Sequence, residues 1–402
     1  MKLNRNFLLL ILGQSIANIG DILYIVAIIS EIYDITESAT VSSFVPFTIT
    51  FSMFISSTLT PVLVGRFNLK LLLLGSQIGK TFLLTFLGMF MMTGVHLINY
   101  IFIFVGIAGI ALLDGCANPI RQTLIPYYVK EAQLIKANGI AETITQSIQI
   151  GTWFLGSLLL IVLNATQLIW LVCIMFGLAS LIVSLLKSVE HKSVNQGKTW
   201  DQLIQGWKTI NMTSTLRILV RIEFLETIAS TVWIASIVYV YVEQVLNEQE
   251  QWWGYLNSSF FVGLVLGSII CVKFSKFVEN NRYAFIVTGA CMSFVITILF
   301  SMTSIPITAL ILSALIGLFG QLKNIPQQTL IQTSAPKEKL ATVYTSIGTI
   351  QTGVFGVSSL IMGLFSDYYG VRNVFVFSGL LLAIVSFMVI NNKCCFRGTS
   401  SR

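Results

Sequence analysis

Residues 166–186 read TQLIWLVCIMFGLASLIVSLL and contain no charged side chain. A helix needs about 20 apolar residues to cross the hydrocarbon core of a bilayer. Similar stretches recur along the whole chain, which is 55% hydrophobic and only 10% charged, whereas soluble domains are about 25% charged. So few charges cannot cover the surface of a soluble protein, so most of the surface must face lipid. The apolar runs are also about twice as long as the strands of a membrane β-barrel, which favours helices. The sequence therefore predicts an all-α membrane protein.

Twelve apolar runs are predicted to span the membrane. In the first half of the chain they lie near 7–31, 40–64, 71–93, 98–119, 136–163 and 166–186. In the second half they lie near 216–242, 253–275, 283–303, 306–326, 340–365 and 373–391. Lysines and arginines are concentrated in alternate loops, beginning with the N-terminus, and such loops stay in the cytoplasm. We therefore expect a multi-pass protein of the cell membrane with both termini cytoplasmic.

The same basic loops account for most of the formal net charge of +7. Nucleic-acid binding is not expected, because the chain has no basic soluble domain and no basic patch with interleaved aromatic residues.

One long polar stretch separates the two sets of spans. It divides the chain into an N-terminal six-helix half at 1–186, a linker at 187–215 and a C-terminal half with a short tail at 216–402. Apolar linker residues fall on one face of a helix: Trp200, Leu203, Ile204, Trp207 and Ile210. Such a helix lies either in the membrane interface or against the cytosolic loops.

The two halves share a short sequence at the same topological place. Gln122-Thr123-Leu124-Ile125 ends the fourth span, and Gln328-Thr329-Leu330-Ile331 ends the tenth. Gln146 and Gly151 follow the first copy as Gln351 and Gly356 follow the second. Internal repeats of this kind are typical of transporters that alternate around a central site.

Six short segments follow one another along the chain: Gly13-Gln14-Ser15, Asn18-Ile19-Gly20-Asp21, Ile35-Thr36-Glu37-Ser38-Ala39, Ala137-Asn138-Gly139, Gln205-Gly206 and Leu216-Arg217. In this order they resemble the major facilitator superfamily, and within it the branch of macrolide-efflux proteins and enterobactin-type siderophore exporters. The resemblance covers nearly the whole chain. It implies twelve helices in two pseudo-symmetric halves, alternating access, export and use of the proton gradient.

The chain departs from the family pattern at three places. Gly65 stands where the loop after the second span usually has Asp, and Gln77 and Lys80 stand where the third span usually has Asp and Arg. Gly151-Thr152 replaces the Gly-Pro of the fifth span. These departures weaken the inference of the usual cytoplasmic gate and of drug/proton antiport, although not the inference of transport.

Ionisable side chains inside predicted spans are functional candidates, because each costs about 2.5–3.5 kcal/mol to insert. The candidates for the transport pathway and for coupling are Asp21, Gln14, Asn18, Asp114, Glu223, Glu226, Gln146 and Gln351. Asp21 is the first choice, because Gln14, Asn18 and Asp21 share one helical face. A structural polar contact between helices is the alternative interpretation. Desolvation favours the neutral form of a carboxyl group, which suits a proton carrier.

A second set of residues is expected to act in gating or ion pairing: Lys80, Arg66, Glu142 and Lys323. We expect Glu142 in the fifth span to pair with Lys323 in the tenth. Lys80 either belongs to the gate or extends its ammonium to the membrane surface.

No catalytic, metal or cofactor site is predicted. The segment Gly75–Thr81 resembles a phosphate-binding loop but lies in an apolar span, and the two histidines and six cysteines show no metal-ligand spacing. The expected partners are the lipid bilayer, a small-molecule substrate and protons, and we expect a monomer.

The expected function is export of a drug-like small molecule coupled to protons. Export of an anionic siderophore is the alternative, since Lys80, Arg121 and Lys323 favour an anion. A lipid flippase or a transporter-like sensor would be a different class.

Overall fold

The computed structural model of the chain describes residues 4–36, 39–93, 100–189, 199–233, 235–249 and 251–396, and all regular structure within these ranges is helical. The first half contains α1 (Arg5–Thr36), α2 (Ala39–Arg66), α3 (Leu69–Met92), α4 (Ile101–Asp114), α5 (Ala117–Tyr128), α6 (Leu134–Val162) and α7 (Ala165–Ser184). The remainder contains α8 (Thr199–Met212), α9 (Ser214–Ser230), α10 (Ala235–Tyr241), α11 (Gln251–Lys273), α12 (Ser275–Asn280), α13 (Arg282–Met302), α14 (Pro306–Ser334), α15 (Lys337–Tyr369), α16 (Val371–Asn391) and α17 (Lys393–Phe396).

The predicted spans coincide with helices or broken helices. Ten helical segments among the described residues are long and apolar enough to cross a membrane, and the broken pair α9–α10 makes an eleventh. One of the ten, Ile101–Tyr128, combines α4 and α5. The remaining predicted span is α6, whose 29 residues extend about 43 Å at 1.5 Å per residue.

The seventh span is interrupted, although the apolar run predicts a continuous helix. A 3-10 turn, Thr231–Trp233, separates α9 from α10. The hydroxyl of Ser230 donates to the carbonyl of Thr227 at 2.9 Å, and that of Thr231 donates to the carbonyl of Ile228 at 2.6 Å. Such bonds from Ser and Thr to preceding carbonyls compete with the regular helix and bend it.

The described residues pack into two compact units. The first comprises Met1–Val129, Ser147–Trp207 and Lys337–Thr352, and the second comprises Lys130–Gln146, Lys208–Pro336 and Gly353–Arg402. The start of α6 thus belongs to the second unit, and the start of α15 belongs to the first. The continuous domain limits expected from the sequence stay a prediction.

In the first unit, α7 packs against both α1 and α3, and α2 packs against α4. One end of this unit is defined by side-chain contacts at the helix termini. Asn6 accepts from the backbone of Lys187, and Asn68 donates to the carbonyl of Val189 at 2.7 Å. The hydroxyl of Tyr128 donates to the carbonyl of Lys187 at 2.8 Å. The starts of α1 and α3 therefore lie at the same end as the last residues of α5 and α7.

In the second unit, α14 packs against α11 and α13. The crossing of α11 and α14 depends on glycines, because a Cβ on Gly263 would overlap the carbonyl of Ala314 and one on Gly267 would lie 2.6 Å from the carbonyl of Leu318. Small residues four apart let membrane helices approach closely.

Gly263→Ala is expected to destabilise the protein by about 1–3 kcal/mol, because an added methyl forces two packed backbones apart. The measurement is the melting temperature of the purified protein. Gly254→Ala on the same helix is the matched control, because a Cβ there meets no atom within 4 Å. An equal melting temperature for both variants would contradict the close crossing.

Within the stretch expected to be a linker, Thr199–Met212 form the helix α8. A Cβ on Gly206 would overlap the carbonyl of Thr342 and the hydroxyl of Ser346, both on α15. Ile210 is buried. The helix therefore packs on protein at Gly206.

Candidate functional site

A buried lysine lies between two carboxylates in the first unit. The Lys80 Nζ is 2.5 Å from Oδ1 of Asp21 and 2.6 Å from Oδ1 of Asp114. The Lys80 side chain is completely buried, whereas the carboxylate side chains are 17% and 13% exposed. Lys80 therefore does not extend to the membrane surface. This triad of Asp21, Lys80 and Asp114 carries one negative charge in excess when all three groups are ionised.

The position of Asp114 follows from a break between two helices. Asp114 ends α4, and α5 begins at Ala117. A Cβ on Gly115 would lie 2.6 Å from Cβ of Ser56 on α2, and the Ser56 hydroxyl donates to the carbonyl of Leu112 at 2.6 Å. Close packing of α2 at the break therefore fixes where α4 ends.

An aromatic ring covers the lysine. The Lys80 Nζ lies 4.6 Å from the ring centroid of Phe176 on α7. A Cβ on Gly20 would lie 2.6 Å from the Phe176 ring. Gly20, next to Asp21, thus makes room for the ring. The ring face attracts the ammonium by a cation–π interaction.

The second unit contains its own buried ion pair. The Lys323 Nζ of α14 lies 2.6 Å from Oε1 of Glu226 on α9, and the two side chains are 9% and 15% exposed. A Cβ on Gly289 would lie 2.6 Å from Cβ of Lys323. The glycine therefore allows α13 to pack directly beside the lysine.

The pairing expected for Lys323 differs from the observed one. Among the described residues its partner is Glu226, so the predicted Glu142–Lys323 pair is not formed in this structure. The carboxylate of Glu142 instead accepts from the amides of Gln146 and Gln321 at 3.4 Å and of Gln328 at 3.3 Å. The helical register fixes which residues share a face, but it does not fix which carboxylate on another helix a lysine meets.

An amide pair that buried charges do not reveal lies one turn from Glu142. The Asn138 side chain donates to Gln332 at 2.8 Å and to Thr329 at 3.0 Å, while Gln332 donates back at 3.2 Å. All three side chains are buried. In the sequence, the feature that could indicate this amide pair is the presence of neutral amide side chains within apolar spans.

The other candidates from the sequence have simpler surroundings. Gln14 donates to Asn18 at 3.0 Å, as expected for residues on one face of α1. Glu223 is half-buried on α9, while Arg66 and Gln351 are exposed. The structure thus brings together Asp21, Lys80 and Asp114, and separately Glu226 and Lys323.

The family follows from a comparison with known sequences. The profile of the Major Facilitator Superfamily matches residues 10–356. The chain belongs to the major facilitator superfamily. It is therefore a multi-pass membrane transporter.

Two proteins of Bacillus subtilis (strain 168) are similar over nearly the whole length. They are the uncharacterized MFS-type transporters YfmI, 27% identical over 95% of each chain, and YjbB, 26% identical over 96% of this chain and 95% of the other. The particular branch of efflux proteins that the sequence resembles stays a prediction.

Solved structures show the same fold. The human organic anion transporter MFSD10 matches with a TM-score of 0.76 and 10% identity, over 96% of this chain and 99% of the other. The fucose:proton symporter FucP of E. coli matches with a TM-score of 0.73 and 13% identity, over the same shares. The predicted fold class, an all-α membrane protein with twelve helices in two halves, is confirmed.

Proposed function

We propose that this transporter exports a cationic or amphiphilic small molecule across the cell membrane in exchange for protons. It would do so by alternating access, with both termini in the cytoplasm. The proposal is supported by the family, by the basic loops on one side, and above all by the Asp21–Lys80–Asp114 triad.

The triad offers a place for one proton. Two carboxylates share a single ammonium at 2.5 and 2.6 Å, so binding of one proton makes the group neutral. A charge inside the membrane is costly, and neutralising the triad removes that cost. Asp21 is the proposed proton carrier, with Asp114 as its partner.

The sign of the buried charges favours a cationic substrate. Lys80 and Lys323, two of the residues that favoured an anion, are each held by carboxylates. Their charges are balanced within the protein and are not free to hold an anionic siderophore. Together, the triad and the Glu226–Lys323 pair contain three carboxylates and two ammonium groups, so negative charge is in excess.

Inside-out vesicles provide the test. We expect tetraphenylphosphonium, a lipophilic cation, to accumulate only when the vesicle interior is acidic, and a catecholate siderophore not to accumulate. Vesicles without the protein are the control. Siderophore accumulation without accumulation of the cation would contradict the proposed substrate class. Movement of labelled phospholipid without a proton gradient would indicate a flippase, and ligand binding with no accumulation would indicate a sensor.

A further inference from the structure

Gln77 on α3 has an unusual environment. The residue is completely buried. Within the described ranges, neither its amide nitrogen nor its amide oxygen has a hydrogen-bond partner. The amide oxygen of Gln14 on α1, a residue that is 4% exposed, is also buried and has no such partner. A buried polar atom without a partner is destabilising, and such atoms in native proteins usually bond to ordered water.

These two amides lie on the helices that carry the triad. Gln77 precedes Lys80 by three residues, or about 4.5 Å along α3, and lies within about 60° of it around the helix. Gln14 precedes Asp21 by seven residues, or about 10.5 Å along α1, and lies within about 20° of it. Both therefore face the interior that holds the triad, on the side where α1 and α3 begin.

Two buried leucines lie further toward that side. Leu73 lies one turn before Gln77, and Leu10 lies one turn before Gln14. Both leucines are completely buried. The unpartnered amide atoms thus lie between the charged triad and this pair of leucines. On the triad itself, the side chains of Asp21 and Asp114 retain some exposure.

We propose that Gln77 and Gln14 bind buried water, and that protons leave the triad through this water toward the end of the unit where α1 and α3 begin. The proton path rests on the proposed function, whereas the water site does not. In the step, an O–H bond of the protonated Asp21 or Asp114 breaks as a new O–H bond forms on water. The carboxylate left behind is stabilised by Lys80. In this structure the two buried leucines lie between this water and the end of the unit.

Gln77→Leu tests both parts, because leucine has a similar size and no polar atom. If water bonds the amide, the variant loses those bonds, and its melting temperature is expected to stay equal to or fall below that of the wild type. The rate of proton-driven tetraphenylphosphonium accumulation is expected to fall about tenfold or more, with an unchanged dissociation constant for that cation. Gln77→Asn, which keeps an amide, is expected to recover part of the rate.

Thr81→Val is the matched control. Thr81 lies one turn after Gln77. Among the described residues its hydroxyl donates only to the carbonyl of Gln77, at 2.8 Å. Its backbone carbonyl accepts from the hydroxyl of Thr85. This variant should keep the wild-type rate of accumulation.

The outcomes separate the two proposals. A higher melting temperature for Gln77→Leu would overturn the water site, because it would show that the amide has no partner. A wild-type rate of proton-driven accumulation in Gln77→Leu would overturn the proton path. If accumulation by the wild-type protein needs no proton gradient, the proposed function fails, while the melting temperatures still decide the water site.

Discussion

Replacing Lys80 with methionine is expected to lower the free energy of unfolding by about 3–5 kcal/mol, because it leaves two buried carboxylates without their cation. Methionine has nearly the length of lysine, so the change removes the charge with little change in volume. Transport is expected to be lost. The measurement is the yield and the melting temperature of the purified protein, followed by cation accumulation in vesicles.

A set of variants separates charge from packing. Asp21→Asn and Asp114→Asn each leave one carboxylate paired with Lys80, so both are expected to fold. The double variant strands the ammonium of Lys80 and is expected to be as unstable as Lys80→Met. The triple variant, with no charge left, should again fold but should not transport. A Lys80→Met protein as stable as the wild type would contradict this account of the triad.

Breaking the Lys323–Glu226 pair is expected to have a similarly large effect. Lys323→Met and Glu226→Gln each remove one half of a buried pair. Lys323→Met is expected to lower the free energy of unfolding by about 3–5 kcal/mol, because it leaves a charged carboxylate without its partner. Exchanging the two residues, as Glu226→Lys with Lys323→Glu, should recover much of the lost stability. The measurement is again the melting temperature, with accumulation of the cation as a second readout.

The control for this prediction is the pairing that the sequence favoured. Glu142→Lys combined with Lys323→Glu should not recover stability, because Glu142 accepts from glutamine amides and Lys323 lies against Glu226. Recovery by this second exchange and not by the first would show that Lys323 pairs with Glu142 after all.

The helices could be predicted from the sequence because the membrane imposes one simple requirement. Each span needs about 20 apolar residues, so α7 and α16 are recognisable from composition alone. Hydropathy does not predict the break after Ser230, because the cause of the break is local hydrogen bonding by Ser230 and Thr231.

The candidate site could be predicted only in part. Asp21, Lys80 and Asp114 each stand out in the sequence because charges in apolar spans are rare. The three residues lie on three separate helices, so whether they meet depends on how those helices pack. The same limit explains the wrong partner for Lys323. In the sequence, Gln77 stands out only as a departure from a family pattern. Its burial without a partner depends on neighbouring helices that the sequence does not reveal.

The most direct test of proton coupling at the triad compares two activities of Asp21→Asn in the same proteoliposomes. One is accumulation of tetraphenylphosphonium driven by a pH gradient, and the other is exchange of labelled for unlabelled cation at equal pH, which needs no net proton movement. We predict that the variant keeps exchange and loses accumulation. Accumulation at the wild-type rate would contradict the assignment of Asp21 as the proton carrier.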